Sequence, residues 1–186
     1  MDTKSQFSTP TVILHWLIAL TMIGLLAVGF YMANTKAYEL YPIHKSVGAI
    51  VFFFAILRLV WRFMNGWPTP LSDNNKLELL AAKISHWVLL LGTLLMPLSG
   101  MTMSAAGGRG VYIFGLELIG RNPNPADPSK IAPINESLAA AASNIHTLAG
   151  YLVAAVVVLH IAGAMKHHLV YKDGTLHRMF GKQVDS

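Results

Sequence analysis

The sequence predicts an all-α integral membrane protein, a four-transmembrane-helix bundle with both termini cytoplasmic. Three observations lead there. Only 12% of the 186 residues are charged, 14 Lys and Arg against 9 Asp and Glu, where a soluble globular chain carries about 25%. The hydrophobic share is 54% and the mean hydropathy is +0.49, so too few polar residues remain to cover a surface in water. The apolar residues also gather into four stretches of the length a hydrocarbon core requires, roughly 20 helical residues. A soluble enzyme and a disordered chain are both excluded.

The formal charge of +5 and the isoelectric point of about 9.6 do not mark a nucleic-acid binder. The cations stand at the ends of apolar segments rather than along one basic face, so the expected partner is the lipid bilayer and no nucleic acid. Cysteine is absent. That removes disulfides, thiolate zinc sites, iron–sulfur clusters and covalently attached c-type haem.

The first helix is expected at about 11–33, a stretch without Lys, Arg, Asp or Glu. It is too long for the apolar core of a signal peptide, ~7–15 residues, and reads as a retained helix. The second, 44–64, is apolar from Ser46 to Leu57 and then meets Arg58 and Arg62. The third, 84–106, is again free of formal charge, and the fourth, 137–165, is the longest. Backbone groups in lipid must pair within their own segment, which makes all four helices. Met96-Pro97 with Gly100 marks a kink in the third.

Between them, the 65–83 link holds Pro68, Pro70 and Asp73-Asn74-Asn75, a turn-rich connection. The outer loop 107–136 opens with Gly107-Gly108 and contains four prolines. Its apolar run Val111–Leu116 is placed to lie in the interface or cap the bundle. A cytoplasmic tail, 166–186, follows the last helix. Counting helix ends, nine basic residues fall with the termini and the 65–83 link: Lys4, Arg58, Arg62, Lys76, Lys83, Lys166, Lys172, Arg178 and Lys182. Five fall on the other side: Lys36, Lys45, Arg109, Arg121 and Lys130. The positive-inside rule then puts both termini in the cytoplasm. The chain reads as one membrane domain, 1–186, without repeats.

Ionisable residues at membrane depth are costly and usually functional. His15, His44, His146 and His160 lie in or at the edge of the apolar segments, with His86 a fifth. His146 and His160 are fourteen residues apart on one helix, ~21 Å of rise and within roughly 40° of the same face. Given the topology, His15 pairs with His160 at the inner level and His44 with His146 at the outer. Two trans imidazoles per level are the axial ligands of a b-type haem. Small residues at i+4 from each ligand, Ala19, Gly48, Gly150 and Ala164, would make room for it, whereas His86 has Leu90 there. A lone histidine of this kind can equally hydrogen-bond across helices. A ladder of histidines can serve a proton or metal pathway.

The residues around these histidines resemble the bacterial cytochrome b561 family. The likeness rests on Leu14-His15-Trp16-Leu17, Ile43-His44-Lys45-Ser46-Val47-Gly48, Leu57-Arg58-Leu59-Val60-Trp61-Arg62, Ile145-His146-Thr147-Leu148-Ala149-Gly150, Leu159-His160, and the ending from Lys166-His167-His168 to Lys172-Asp173-Gly174-Thr175-Leu176-His177-Arg178-Met179. It covers nearly the whole chain. The resemblance implies two non-covalent b haems per chain, with His15, His44, His146 and His160 as ligands of the haem iron, in a multi-pass protein of the bacterial inner membrane. It also implies ubiquinone as electron acceptor or donor, with His167 matching a family histidine of an inner quinone site. The competing reading of His167 and His168 is a solvated basic tail. His86 is a weaker site candidate, read as bonded to a haem propionate or a neighbouring helix. Arg58, Arg62 and Lys166 are topology charges or propionate partners.

The expected function is transmembrane electron transfer between an unidentified outer donor and the ubiquinone pool. Some family members resemble superoxide:ubiquinone oxidoreductases, and an anionic substrate would profit from a positive outer surface. Here Arg109, Arg121 and Lys130 are matched by Glu117, Asp127 and Glu136, and Lys36, Lys45 and Glu39 add one positive charge. That sum is no cationic funnel, so the general reading, a di-haem electron carrier, is preferred. The alternatives are a haem-binding anchor subunit of a larger dehydrogenase and a haem-free proton or metal transporter.

Overall fold

A computed structural model describes residues 1–71 and 75–184 of the chain. The Asp73-Asn74 part of the expected turn lies outside the described residues.

Four long helices make the bundle: α1 (Thr9–Thr35), α2 (Tyr41–Asn65), α3 (Lys76–Ala106) and α4 (Glu136–Lys166). Each exceeds the apolar stretch inside it. The largest difference is at α3, which begins eight residues before the expected position 84. The expected start at Ile84 follows Lys83, where the charge-free stretch begins, but a helix need not stop at the lipid surface. Asn75 starts this one, its side-chain oxygen accepting from the Leu77 N–H at 3.0 Å, and Glu78 lies in the first turn, where a negative charge suits the helix dipole. Asn135 caps α4 in the same way through the Leu138 N–H. Pro97 sits inside α3, which continues through it.

The α1–α2 connection is a 3₁₀ turn, Tyr38–Leu40. The 107–136 link, read from the sequence as an outer loop in an all-α fold, folds into two small antiparallel hairpins. Strands β1 (Val111–Ile113) and β2 (Leu116–Ile119) form the first, and β3 (Pro123–Asn124) and β4 (Asp127–Ile131) the second. Phe114 and Gly115, with φ of 45° and 92°, turn the first hairpin with the positive angles that two-residue connections favour. This hairpin packs on the start of α2. Ser46 accepts from the Phe114 N–H at 3.0 Å, and the Lys45 ammonium donates to the Gly110 carbonyl at 3.2 Å.

Consecutive helices pack along their lengths, while α1 and α4 touch only briefly. The buried centre is one apolar layer of Ile18 and Met22 from α1, Val51 from α2, Met96 from α3, and Ala149 and Val153 from α4. Buried residues make up only 11–22% of the most apolar window of each helix. Phe53, Leu91, Leu148 and Val158 are among the many large apolar side chains that face outward. Such a surface belongs in lipid.

Both termini lie at one end of the bundle, the terminal end; the hairpins mark the other. The tail beyond α4 is not a solvated strand. It forms a π-helical turn (His167–Tyr171) and a short helix α5 (Thr175–Met179), and it folds back under the bundle. The Val184 N–H bonds the Ser5 carbonyl at 3.0 Å. The Trp16 indole donates to the Met179 carbonyl at 2.7 Å and stacks on Phe180. Arg178, 4% exposed, donates to the carbonyls of Lys4 and Thr69 and lies 4.2 Å over the Phe7 ring. Burial lowers its pKa from the usual guanidinium value, against the opposing pull of Asp173 and Asp2.

Candidate functional site

Folding brings the four histidines of the apolar segments together in twos. At the hairpin end, His44 of α2 faces His146 of α4 with ring centroids 6.4 Å apart. At the terminal end, His15 of α1 faces His160 of α4 at 6.3 Å. All four are half-buried, and the apolar layer of the core lies between the levels. Seven helical turns would not be needed to separate them; the fourteen residues from His146 to His160 suffice, ~21 Å of rise.

The spacing within each pair bears on what could be held there. A metal held between two imidazole nitrogens, at about 2.0 Å from each, would leave the ring centroids roughly 6.3 Å apart. Both pairs stand at that separation. His86 does not: its centroid is 5.3 Å from that of His160, too close for a trans-bound iron between them, and it is exposed on the flank of α3. The geometry therefore favours His15 over His86 as the partner of His160.

The surroundings fit a flat macrocycle held between helices. His44 Nδ1 is buried and has no hydrogen-bond partner among the described residues. Gly48, one turn on, has open space where its side chain would be and lines a cavity with His44, His146, Met22, Val51 and Met96. On α3, a Cβ at Gly100 would stand 3.1 Å from the His146 ring, so glycine is what lets the imidazole lie against this helix. His146 Nδ1 is 2.9 Å from the Met96 carbonyl and 3.1 Å from the Ser99 hydroxyl. A proton on Nδ1, donated to that carbonyl, leaves Nε2 with a free lone pair for a metal. At the terminal end, His15 and His160 lie where α1 and α4 meet in a thin seam. There Arg58 lies with one guanidinium nitrogen 3.3 Å from His15 Nδ1, a cation available to a propionate.

Below this level the tail builds a second cluster. His167 Nδ1 and Asp173 Oδ2 are 2.6 Å apart, and the His167 ring is 5.4 Å from that of Tyr171. Tyr171 and Lys166 both bond Glu78, at 2.7 and 2.9 Å, tying the tail to the start of α3. His168 stacks edge-on with His177. Glu78 and Ser99 were not singled out from the sequence; Gly100 was read only as part of the kink in α3, and Asp173 only within the ending that carries the family resemblance.

Two further groupings depend on folding. Asp2 accepts from the Ser8 N–H and hydroxyl and the Thr11 hydroxyl, and lies 3.6 Å from Arg62. Burial alone would raise its carboxyl, but those bonds and the Arg62 charge outweigh it and hold the pKa below the usual 3.8. At the hairpin end, Arg109 and Arg121 both come within electrostatic reach of Lys45, while Glu117 and Arg121 both lie beside Tyr112.

The chain matches the prokaryotic cytochrome b561 family over residues 6–182. It is 28% identical to cytochrome b561 homolog 2 of Escherichia coli (strain K12), over 97% of this chain and 94% of that protein. Identity to cytochrome b561 homolog 1 of the same organism is 24%, over 96% and 99%. It is also 25% identical to the probable superoxide oxidase CybB of Yersinia pestis, over 96% and 97%.

Proposed function

We propose a specific route for electrons through this chain, which belongs to the prokaryotic cytochrome b561 family and so is a multi-pass bacterial membrane protein of haem b electron transfer. The chain holds two b haems, one between His44 and His146 and one between His15 and His160. The terminal end faces the cytoplasm of an inner-membrane protein, as the basic residues indicate. Electrons enter at the hairpin end and leave to ubiquinone at the terminal end, beside His167.

The observation that carries this reading is the pair of equal histidine separations, 6.4 and 6.3 Å, on opposite sides of one apolar layer. When bound, each haem supplies a one-electron iron couple. The protein's share is positional. The four imidazoles fix both levels, the Met96 carbonyl sets the His146 tautomer, and the Ile18–Val153 layer keeps water out between the levels. Arg58 offers a counter-charge at the terminal level.

Lys45, with Arg109 and Arg121 within electrostatic reach of it, favours a small anionic donor, and superoxide is the one in keeping with the relative from Yersinia pestis. Each superoxide would give up one electron and leave as dioxygen. Two electrons and two protons convert one ubiquinone to ubiquinol. The cations would raise the encounter rate, an effect that salt screens.

A pyridine haemochrome assay on detergent-purified protein, after extraction into acidic acetone, tests the core of this proposal. Two extractable b haems per chain are expected. One haem, none, or a pigment that stays with the polypeptide would overturn it. Pulsed superoxide then tests the donor: reduction should be fast and should slow as ionic strength rises.

A further inference from the structure

At the hairpin end, α3 and α4 part around a cavity of about 380 Å³, within the size range of small-molecule sites. Its α4 wall is one face of the first two turns, Glu136, Ala139, Ala140 and Ser143, spaced i, i+3, i+4 and i+7. Opposite them the chain leaves α3 through Gly107, and the Arg109 guanidinium folds back over it. A Cβ at Gly107 would stand 2.9 Å from Arg109 Nη1 and 3.8 Å from Ala139 Cβ. Arg109 thus brings its charge to the level of Ala139, one turn short of Glu136. Neither Arg109 nor Glu136 belongs to an ion pair among the described residues.

Depth decides what chemistry reaches this cavity. Val153 lies midway along α4 between His146 and His160, in the apolar layer at the centre of the bundle. With that layer at the middle of the membrane, Ser143 stands ~15 Å and Ala139 ~21 Å away. Hydrocarbon ends about 15 Å from the middle and the headgroups at about 20–22 Å. The cavity therefore occupies the headgroup layer. Within it the guanidinium is inner and the carboxylate lies ~4.5 Å further out. That order complements an ethanolamine phospholipid, whose phosphate adjoins the glycerol and whose ammonium ends the headgroup.

We propose that this cavity binds the headgroup of an ethanolamine phospholipid, its phosphate on Arg109 and its ammonium on Glu136. The guanidinium offers paired N–H donors that match phosphate oxygens, and the Ser143 hydroxyl lines the deeper, glycerol side. Phosphatidylglycerol would meet Glu136 without a cation to offer it. A lipid seated there would join α3 to α4 in one leaflet and take up the charge of Arg109, leaving Lys45 and Arg121 for a donor. None of this depends on the haem, donor or quinone assignments.

Native mass spectrometry of the delipidated full chain in detergent, titrated with dioleoyl phosphatidylethanolamine, is the test. One tightly held lipid per chain is expected, with dioleoyl phosphatidylglycerol bound at least ~tenfold more weakly. Arg109→Gln should weaken the ethanolamine lipid at least ~tenfold, as loss of a charged hydrogen bond does. Glu136→Gln should weaken it too and narrow the gap to phosphatidylglycerol. Ala140→Trp, which fills the cavity and keeps both charges, should also lose the lipid. Lys130→Gln, whose partner is Asp127 on an exposed strand, is the control and should bind like the wild type. Circular dichroism checks the fold of each variant.

No tightly held lipid, or equal affinity for the two lipids, overturns the proposal. Equal weakening by Lys130→Gln and Arg109→Gln does the same, since it means diffuse surface charge. Unchanged binding in Ala140→Trp would put the lipid outside the cavity and overturn it as well. Displacement of the lipid by an equal concentration of O-phosphoethanolamine or inorganic phosphate would make this a free-anion site, which also sinks the lipid assignment.

Discussion

Gly100 of α3 lies so close to His146 of α4 that a methyl group in place of its hydrogen would press on the imidazole, at 3.1 Å from Cε1 and 3.3 Å from Nδ1. The seat of this imidazole is thus cut into a neighbouring helix, beside the Met96 carbonyl that accepts from its Nδ1.

Gly100→Ala is expected to displace His146 and lower haem occupancy at the hairpin-end level, with Gly100→Val abolishing it. Haem content should drop toward one per chain while the other haem keeps its spectrum. Gly24→Ala, where nothing lies within 4 Å, is the control and should retain both. Equal haem content in all three variants would show that the seat is not needed.

Ligand substitutions should sort by level. His44→Ala and His146→Ala should remove or perturb one component of a redox titration, and His15→Ala and His160→Ala the other. Combining two substitutions of one level should add little to either alone, because breaking one axial bond already destroys that site. His86→Ala should leave both components in place. Loss of a haem in His86→Ala but not in His15→Ala would reverse the assignment at the terminal level.

Asp2 ties the N-terminal segment to α1 and Arg62, and its pKa is lowered by those contacts. A lowered folded pKa means the stabilisation is fully present above the ordinary value of 3.8 and is lost as pH falls through the lowered one. Asp2→Asn should cost about 1–2 kcal/mol at pH 7, as loss of a helix-capping carboxylate does. The variant's thermal midpoint should also fall less steeply below pH 4 than that of the wild type. Parallel pH profiles would exclude Asp2 as the titrating clasp.

Arg178 closes the tail against the N-terminal segment through two carbonyls and the Phe7 ring. Hydrogen bonds from a charged group are worth about 1.5–3 kcal/mol each, so Arg178→Ala should release the tail. Rapid cleavage by trypsin at Lys172 and Lys182, with both haems still bound, is the expected sign. Cleavage at the wild-type rate would mean the clasp holds without it.

The helices and the four paired histidines were legible because lipid imposes a simple rule. Only charge-free stretches survive inside it, so an imidazole there stands out. The polar ends obey no such rule. Asp2, Glu78 and Asp173 look like ordinary surface charges until the tail folds under the bundle and gives each a partner. The hairpin of β1 and β2 was hidden because its turn is Phe114-Gly115 rather than Asn-Gly. Gly48 stands four residues along from His44 on the same helix and is legible there, but Gly100 and His146 belong to different helices, and no spacing in one sequence reveals their contact.

The depth between the two histidine levels has an electrical consequence. About 21 Å along the helix axis is some two-thirds of a hydrocarbon core roughly 30 Å thick. In the proposed orientation, each electron passing from the hairpin level to the terminal level moves a negative charge toward the negative side of an energised membrane. At ~2.3 kcal/mol per charge per 100 mV, that crossing runs against about 1.5 kcal/mol for every 100 mV. On that reading the bundle would be a voltage-sensitive conductor, in which the membrane potential opposes the crossing and its collapse removes that opposition.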